Sequence, residues 1–245
     1  MVNEAQLEQY LVEKAPGRIF YLPNWCSEEE EARLLAVFAA APRPKWKELA
    51  RRRLINYGGV VGSKGLLAVD DFPTELLAVM RRVDDLAGHT TNHALVNEYR
   101  RGEGILPHTD GPAFQPIIAT LSLGSHTLID FHEPRMGGGG EEEEAGDGEA
   151  VNGDKQQVDR RLGSLLLERR SLVVITGDAY SKLLHGIEER EDDVIDERVW
   201  NAKEEERGKK MERSTRLSIT MRRVEKVRSL AETAAGRLLL PSRRA

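Results

Sequence analysis

Cysteine and long apolar runs are scarce in this sequence. Cys26 is the single cysteine among 245 residues, which excludes an internal disulfide and fits a reducing environment. No stretch approaches the roughly 18 consecutive apolar residues of a membrane-spanning helix, and the first ten residues lack the basic start and apolar core of a secretory signal. We therefore expect a soluble, monomeric protein of the nucleus and cytoplasm that does not contact membranes.

Apolar residues are also nearly absent between residues 137 and 160. This segment carries eight acidic and two basic side chains, cannot offset the entropy of ordering, and is predicted to be disordered. Without it the formal net charge changes from −5 to +1, so local charged patches matter more for binding than the overall charge. A second insertion, residues 188–213, is densely charged, and its possible apolar anchors are Val194, Ile195, Val199 and Trp200.

The beginning of the chain has the patterns of two helices and a strand. Residues 3–14 predict an amphipathic helix, and residues 18–22 predict a short strand. Ser27 and Glu30 have the spacing of a capping box, and the helix that they open should end near Pro42.

Helical spacing gives way to strand spacing after a further helix, which the sequence predicts from Pro73 to Gly88. Helices followed by strands indicate a mainly β (α+β) fold with supporting helices. The strand candidates are residues 94–100, 117–123, 127–132, 164–168, 171–176 and 215–224.

An imidazole and a carboxylate lie two positions apart at His108 and Asp110, nine residues after the tyrosine of Asn97-Glu98-Tyr99. Side chains two apart on a strand point to the same face, so an apparent strand here would present both together. With one further histidine they would form the two-histidine, one-carboxylate set that holds non-heme Fe(II) and leaves coordination positions open.

The third ligand has several candidates among the other histidines. His126 lies in a Gly-Ser-His turn, and His132 lies at a strand end facing the acidic insertion. His185 follows a buried-looking strand that breaks at Gly177, and it precedes Gly186, which permits close backbone approach. We favour His185, although any one of these histidines could be a partly buried or surface residue without a ligand role.

Two arginines flank the strand candidate Arg216-Leu-Ser-Ile-Thr-Met-Arg222. A separation of six places both guanidiniums on one strand face with Ser218 and Thr220. Arginines inside a core are costly unless they meet anions, and a dicarboxylate would satisfy both. The alternative is a strand with one solvated, arginine-bearing face.

The ordered set Asn-x-Tyr, His-x-Asp, His-Gly and Arg-x5-Arg resembles the AlkB family of Fe(II)/2-oxoglutarate dioxygenases over residues 94–224. The resemblance implies a double-stranded β-helix, a jelly roll of two facing sheets, which agrees with the strand candidates. It also implies Fe(II) and 2-oxoglutarate as cofactors and O2 as a further reactant. Oxidative decarboxylation to succinate and CO2 would then drive hydroxylation of a C–H bond, and hydroxylated N-methyl groups would leave as formaldehyde.

The resemblance also assigns roles to particular residues. Arg216 would bind the distal carboxylate of 2-oxoglutarate, Arg222 would lie near the carboxylate beside the metal, and Ser218 replaces an asparagine of the bacterial prototype. The implied catalytic iron ligands are His108, Asp110 and His185. The implied 2-oxoglutarate contacts are Asn97, Tyr99, Arg216, Ser218 and Arg222.

A nucleotide-recognition lid precedes the jelly roll in this family, and residues 44–58 are the candidate here. Cations for phosphates interleaved with aromatics for base stacking are what single-strand binding requires. The alternative is a basic helix end with two aromatics packed inward. The candidate nucleic-acid-binding residues are Lys45, Trp46, Lys47, Arg51, Arg52, Arg53 and Tyr57.

Pro112 departs from the pattern of nucleic-acid-repairing members, which often carry an acidic residue two positions after the metal carboxylate. That departure weakens the case for base repair. Residues 108–114 and 52–58 are nevertheless most similar to the subfamily of sixth AlkB homologues found in animals and plants.

We expect one domain over residues 1–245: N-terminal helices and lid (1–92), jelly-roll core (93–224) and C-terminal tail (225–245). The expected function is oxidative demethylation of methylated bases in single-stranded nucleic acid, RNA more than DNA. The alternatives are a reader of modified RNA, a protein or small-molecule hydroxylase on the same scaffold, and a purely structural jelly roll.

Overall fold

The computed structural model describes residues 4–69, 71–134 and 161–228. The predicted acidic insertion, residues 137–160, lies outside the described residues, as does the tail beyond residue 228. No helix within the described ranges is long and apolar enough to cross a membrane.

The helices follow the predicted capping signals in two of three cases. A complete Ser27–Glu30 capping box precedes the second helix, and Gly88, with φ 69°, ends the third. The predicted helix 3–14 is shorter than expected, because Val12 donates its N–H to the Ile19 carbonyl at 2.9 Å and so joins the first strand. The described α-helices are α1 (Glu4–Leu7), α2 (Glu28–Ala39), α3 (Thr74–Ala87) and α4 (Gly177–Lys182), with 3-10 turns at Glu8–Tyr10, Arg43–Lys45 and Glu204–Glu206.

Strands are the most abundant regular elements of the described fold and confirm the mainly β prediction. They are β1 (Arg18–Leu22), β2 (Lys47–Leu49), β3 (Arg52–Tyr57), β4 (Gly59–Gly62), β5 (Gly65–Ala68), β6 (His93–Tyr99), β7 (Ile105–His108), β8 (Ile117–Leu123), β9 (Thr127–His132), β10 (Arg161–Leu167), β11 (Leu172–Thr176), β12 (Leu184–Ile187), β13 (Asp192–Val194), β14 (Lys210–Glu212), β15 (Arg216–Arg222) and β16 (Val227–Arg228).

Two antiparallel sheets form the jelly roll. The major sheet has seven strands in the order β1-β11-β8-β15-β6-β3-β2, and the minor sheet has four in the order β10-β9-β12-β7. Between the sheets, alternate apolar side chains such as Ile129, Phe131 and Ile175 form one core, because successive residues of a strand point to opposite faces. The other face of the major sheet packs against α2 and α3 in a second core.

Five strands precede α3, so the prediction of helices first and strands afterwards was wrong in order. The lid candidate in particular forms β2 and β3 instead of a helix end, and β3 pairs with the interior strand β6 over five residues. Polar and apolar residues do not alternate regularly over residues 52–57, and residues on both faces of β3 are at least partly buried. Tertiary pairing, and not local periodicity, therefore decides this segment.

The second insertion is anchored by apolar residues as predicted, with one exception. Ile195 and Val199 are fully buried against Leu128 and Leu166 on the outer face of the minor sheet. The Trp200 ring lies 5.4 Å from the Phe131 ring. Val194 does not contribute, since it is 51% exposed.

Candidate active site

His108 and His185 face each other on adjacent strands between the two sheets. They are register partners in the β7–β12 pair, and their ring centroids lie 4.6 Å apart. Strand β7 ends at His108, so Asp110 lies in the following loop and not on a strand as predicted. The loop nevertheless places the Asp110 carboxylate next to the histidines, with Oδ2 3.5 Å from His185 Nε2.

The rival histidines lie elsewhere. His126 Nε2 is 3.5 Å from Asp193 Oδ2, next to the second insertion, and His132 pairs with Leu184 at the far end of β9. Only His185, of the candidates that the sequence left open, contacts the predicted pair.

The protonation states of this trio suit a divalent cation. Burial, followed by the proximity of His185, lowers the pKa of His108 to about 4, and burial also lowers the pKa of His185. Burial opposes ionisation of Asp110, but the Arg222 guanidinium holds the pKa of that carboxyl below its ordinary value. Two neutral imidazoles and one carboxylate are therefore present at neutral pH, which are the forms that bind metal.

The trio is arranged as direct neighbours and not as a closed coordination sphere. Among the described residues, no three His, Cys, Asp or Glu side chains already surround a single point. His185 and Asp110 contact each other directly, and a bound cation would replace this contact. His108 Nδ1 lies 2.8 Å from the Leu106 carbonyl, so this nitrogen serves as the donor and Nε2 is left as a ligand.

The two arginines lie on one face of β15, as predicted. Arg216 pairs with Tyr99, Ser218 with Asn97 and Arg222 with His93 in the β15–β6 register. Leu217, Ile219 and Met221 face the helical core instead. The alternative of a solvated arginine face is wrong, because both arginines are buried.

Arg216 is a buried cation that has no anionic partner among the described residues. Its Nη2 donates to Ser122 Oγ at 2.8 Å, while its Nε and Nη1 have no hydrogen-bond partner. Burial lowers its pKa to about 10, so it is still charged at neutral pH. A buried guanidinium with idle donors on Nε and Nη1 is suited to bind an anion such as a carboxylate.

Arg222 lies at the other end of the same strand, beside the histidine–aspartate trio. Its Nη1 is 3.4 Å from Asp110 Oδ1, and its Nε has no hydrogen-bond partner. Arg216 and Arg222 thus lie at the two ends of one strand face, with Tyr99 beside the first and Asp110 beside the second. That spacing of positive charge fits a dicarboxylate with one end at the trio.

The predicted lid cations are mostly paired within the protein. Lys45 contacts Asp71 at 2.9 Å, Arg51 contacts Glu189, and Arg53 makes two hydrogen bonds of 2.8 and 2.7 Å to Glu98. Lys47 is exposed, and Arg52 donates to Asn97 at 3.1 Å.

The base-stacking prediction for the lid aromatics is corrected by their burial. Trp46 is 9% exposed and is covered by the Arg53 guanidinium at 4.2 Å, and Tyr57 is 2% exposed and packs near Phe38 and Phe72. Neither ring offers a free face to a base. The inward-packing alternative describes these two residues correctly.

Two contributors to the site have no motif in the sequence. Ser122 on β8 binds Arg216, and the Tyr180 hydroxyl on α4 donates to the Gly111 carbonyl at 2.7 Å and lies 3.3 Å from the Phe114 carbonyl. Tyr180 therefore fixes the loop that carries Asp110 and Pro112. Both contacts join segments far apart in sequence, so no local spacing announces them.

Replacing Tyr180 with phenylalanine is expected to weaken Mn(II) binding about fivefold, because the loss of one neutral hydrogen bond costs about 1 kcal/mol and loosens the Asp110 loop. Calorimetric titration of the full chain with Mn(II) measures the effect. Tyr21→Phe is the matched control, since the Tyr21 hydroxyl binds Glu168 at 2.9 Å, away from this loop. Equal losses in both variants would contradict the positioning role.

Comparison with known proteins agrees with this fold. The 2OG-Fe(II) oxygenase superfamily matches residues 61–222. The chain is 42% identical over 228 residues to the protein of Danio rerio named probable RNA/DNA demethylase ALKBH6, covering 90% of this chain and 92% of that protein. It is 28% identical over 207 residues to the Xenopus tropicalis tRNA (carboxymethyluridine(34)-5-O)-methyltransferase alkbh8, covering 79% of this chain and 29% of that protein.

The solved structure of OsALKBH1 has the same fold, with a TM-score of 0.53 and 12% identity over 85% of this chain and 99% of that chain. Fold and family together define a class, the dioxygenases that use Fe(II) and 2-oxoglutarate. The chain belongs to the 2OG-Fe(II) oxygenase superfamily and, within it, to the AlkB-like family.

Proposed function

We propose that this dioxygenase binds single-stranded nucleic acid carrying methylated bases, RNA in preference to DNA, and removes the methyl groups oxidatively. It would act as a monomer in the nucleus and cytoplasm. The observation that carries the proposal is the cluster of two neutral imidazoles, His108 and His185, and the Asp110 carboxylate beside two buried arginines with idle donors. The 42% identical relative, named as a probable RNA/DNA demethylase, supports the choice of substrate.

The metal would be held by His108, Asp110 and His185. Their donor set is that of non-heme Fe(II) sites, which leave coordination positions open for a cosubstrate. When bound, Fe(II) and 2-oxoglutarate would activate O2, the oxidant for both the decarboxylation of 2-oxoglutarate to succinate and the C–H hydroxylation. The protein's own part is to hold both imidazoles neutral, to keep Asp110 ionised through Arg222, and to exclude water by burial.

The cosubstrate would lie along the inner face of β6 and β15. Arg216 would bind its distal carboxylate with the donors that are now idle, and Asn97 and Tyr99 would donate from the neighbouring strand. Ser218 would line the pocket between them, and Arg222 would face the carboxylate nearer the metal. Low exposure at these positions makes each such hydrogen bond stronger than it would be in water.

Nucleic acid would bind along the outer edge of β2 and β3 through exposed cations. The Arg51–Glu189 pair is solvent-exposed on both sides, with 46% and 42% of the side chains accessible. Exposed ion pairs contribute little to stability, so phosphates can replace such carboxylates at small cost. Lys47 and Arg51 are therefore the proposed phosphate contacts, with the less exposed Lys45 beside them and without base stacking by Trp46 or Tyr57.

The double variant Lys47→Ala/Arg51→Ala is expected to weaken binding of a methylated single-stranded RNA. It should also reduce the log–log salt slope by about 1.4, because each phosphate contact to a single strand contributes about 0.7. Fluorescence anisotropy across a salt series measures both effects. Arg81→Ala, an exposed cation on α3, is the control and should change neither.

The reaction itself is tested by incubating the full chain with Fe(II), 2-oxoglutarate and methylated oligonucleotides. Succinate and formaldehyde should form in equal amounts, with loss of the methyl group. Binding of RNA with succinate formation uncoupled from methyl loss in every oligonucleotide would contradict demethylation and favour a reader of modified RNA.

A further inference from the structure

We infer that Arg52 is a further residue that positions the cosubstrate, so that strand β3 completes the 2-oxoglutarate pocket instead of serving only as a nucleic-acid lid. The inference rests on the cosubstrate site proposed above. It departs from the sequence pattern, which places Arg52 among the nucleic-acid-binding cations.

The sheet register brings Arg52 next to the cosubstrate residues. Strand β6 lies between β15 and β3, with Tyr99 opposite Arg216 on one side and Glu98 opposite Arg53 on the other. Arg52 is one residue before Arg53 in an antiparallel pair, so it lies beside Tyr99. Two guanidiniums therefore flank one tyrosine on the same face of three neighbouring strands.

The contact of Arg52 with Asn97 fixes the orientation of a buried amide. Arg52 Nε donates to Asn97 Oδ1 at 3.1 Å, and a guanidinium N–H can only donate, so the amide oxygen is the acceptor. The amide NH2 group is then left for another acceptor. Since Asn97 is 5% exposed and lies opposite Ser218, the acceptor that fits is an oxygen of a bound carboxylate.

The charge around Arg52 points in the same direction. Three of the other lid cations are paired with carboxylates, whereas Arg52 forms no ion pair within the described part of the chain. Arg52 and Arg216 both lie close enough to the Tyr99 hydroxyl to lower its pKa, against the larger effect of burial, which raises it. Two uncompensated cations beside one pocket favour a dianion over a neutral ligand.

The neighbouring residue Arg53 is a natural control. It lies on the opposite face of β3, where its guanidinium makes two hydrogen bonds to Glu98 and covers the Trp46 ring. Arg53 is the same type of side chain in the same strand, but its charge is already paired with a protein carboxylate and it faces away from Asn97.

The test compares Arg52→Met with Arg53→Met in the full chain, using calorimetric titration of 2-oxoglutarate into protein loaded with Mn(II). Arg52→Met should raise the Kd for 2-oxoglutarate about tenfold, the loss expected for one charge-assisted contact. Mn(II) affinity and Tm should stay unchanged. Arg53→Met should leave the Kd within twofold, and Arg52→Lys, which keeps the charge, should recover part of the loss.

Arg216→Met separates failure of this inference from failure of the site on which it rests. If Arg216→Met weakens 2-oxoglutarate binding and Arg52→Met does not, the role of Arg52 is overturned while the cosubstrate site stands. If neither variant changes the Kd, the proposed site itself is wrong. A loss of RNA affinity in Arg52→Met at an unchanged Kd for 2-oxoglutarate would assign Arg52 to the nucleic acid and overturn the inference.

Discussion

Replacing His185 with alanine is expected to lower the affinity for Mn(II) or Fe(II) by more than about 100-fold and to abolish decarboxylation of 2-oxoglutarate. Replacing a residue that only hydrogen-bonds to a metal ligand typically lowers metal affinity about 10- to 100-fold. Loss of a ligand itself should lower the affinity by more than that. His185 lies opposite His108 and 3.5 Å from Asp110, so no other described imidazole can take its place. Anaerobic calorimetry with Mn(II) measures affinity, and succinate formation measures turnover.

His132→Ala is the matched control for this result. His132 lies on β9, which is the strand next to β12, and it is the register partner of Leu184. It is thus a histidine of the same sheet that does not face Asp110. Metal affinity should be unchanged in this variant, and a loss as large as that of His185→Ala would contradict the proposed ligand set.

Replacing Arg216 with methionine should weaken 2-oxoglutarate binding by about 30-fold or more. A charge-assisted hydrogen bond contributes about 2 kcal/mol, and each 1.4 kcal/mol is about tenfold in affinity. Arg216 has two idle donors in a buried position, so a second bond to the same carboxylate would increase the loss. Titration of 2-oxoglutarate into Mn(II)-loaded protein gives the Kd directly.

The folded state should tolerate this change better than the cosubstrate site does. A buried guanidinium with one protein hydrogen bond, to Ser122, contributes little to stability once its desolvation is counted. Tm should therefore stay the same or rise while affinity falls. Arg223→Met is the control: its guanidinium binds the Thr90 carbonyl at 2.8 Å, and 2-oxoglutarate affinity should not change.

The lid shows how one local pattern supports two different structures. The cations and aromatics between residues 44 and 58 match a nucleic-acid surface, and they match inward packing equally well. Only the tertiary structure reveals that Trp46 and Tyr57 are covered, and that of the two adjacent arginines it is Arg52 that lies on the face of Asn97. The sequence carries the alternation, but it does not carry the identity of the neighbouring strand.

The metal loop shows the same limit at a smaller scale. His108 and Asp110 are two residues apart, and strand parity alone placed both on one face. The strand ends at His108, and the loop that returns Asp110 depends on a hydroxyl 70 residues later, Tyr180. The spacing predicted residues that the structure brings together, although the local structure assumed for Asp110 was wrong.

The sequence by itself determined the chemistry available to this protein: which histidines, carboxylate and arginines exist, their order, and the parity that places Arg216 and Arg222 on one face of a strand. Those properties are local, and side-chain type and strand period are sufficient for them. The tertiary structure alone decided which histidine meets Asp110, which lid side chains are buried, and that Arg52 binds Asn97. Each of these depends on contacts between strands remote in the chain, which local propensity does not encode.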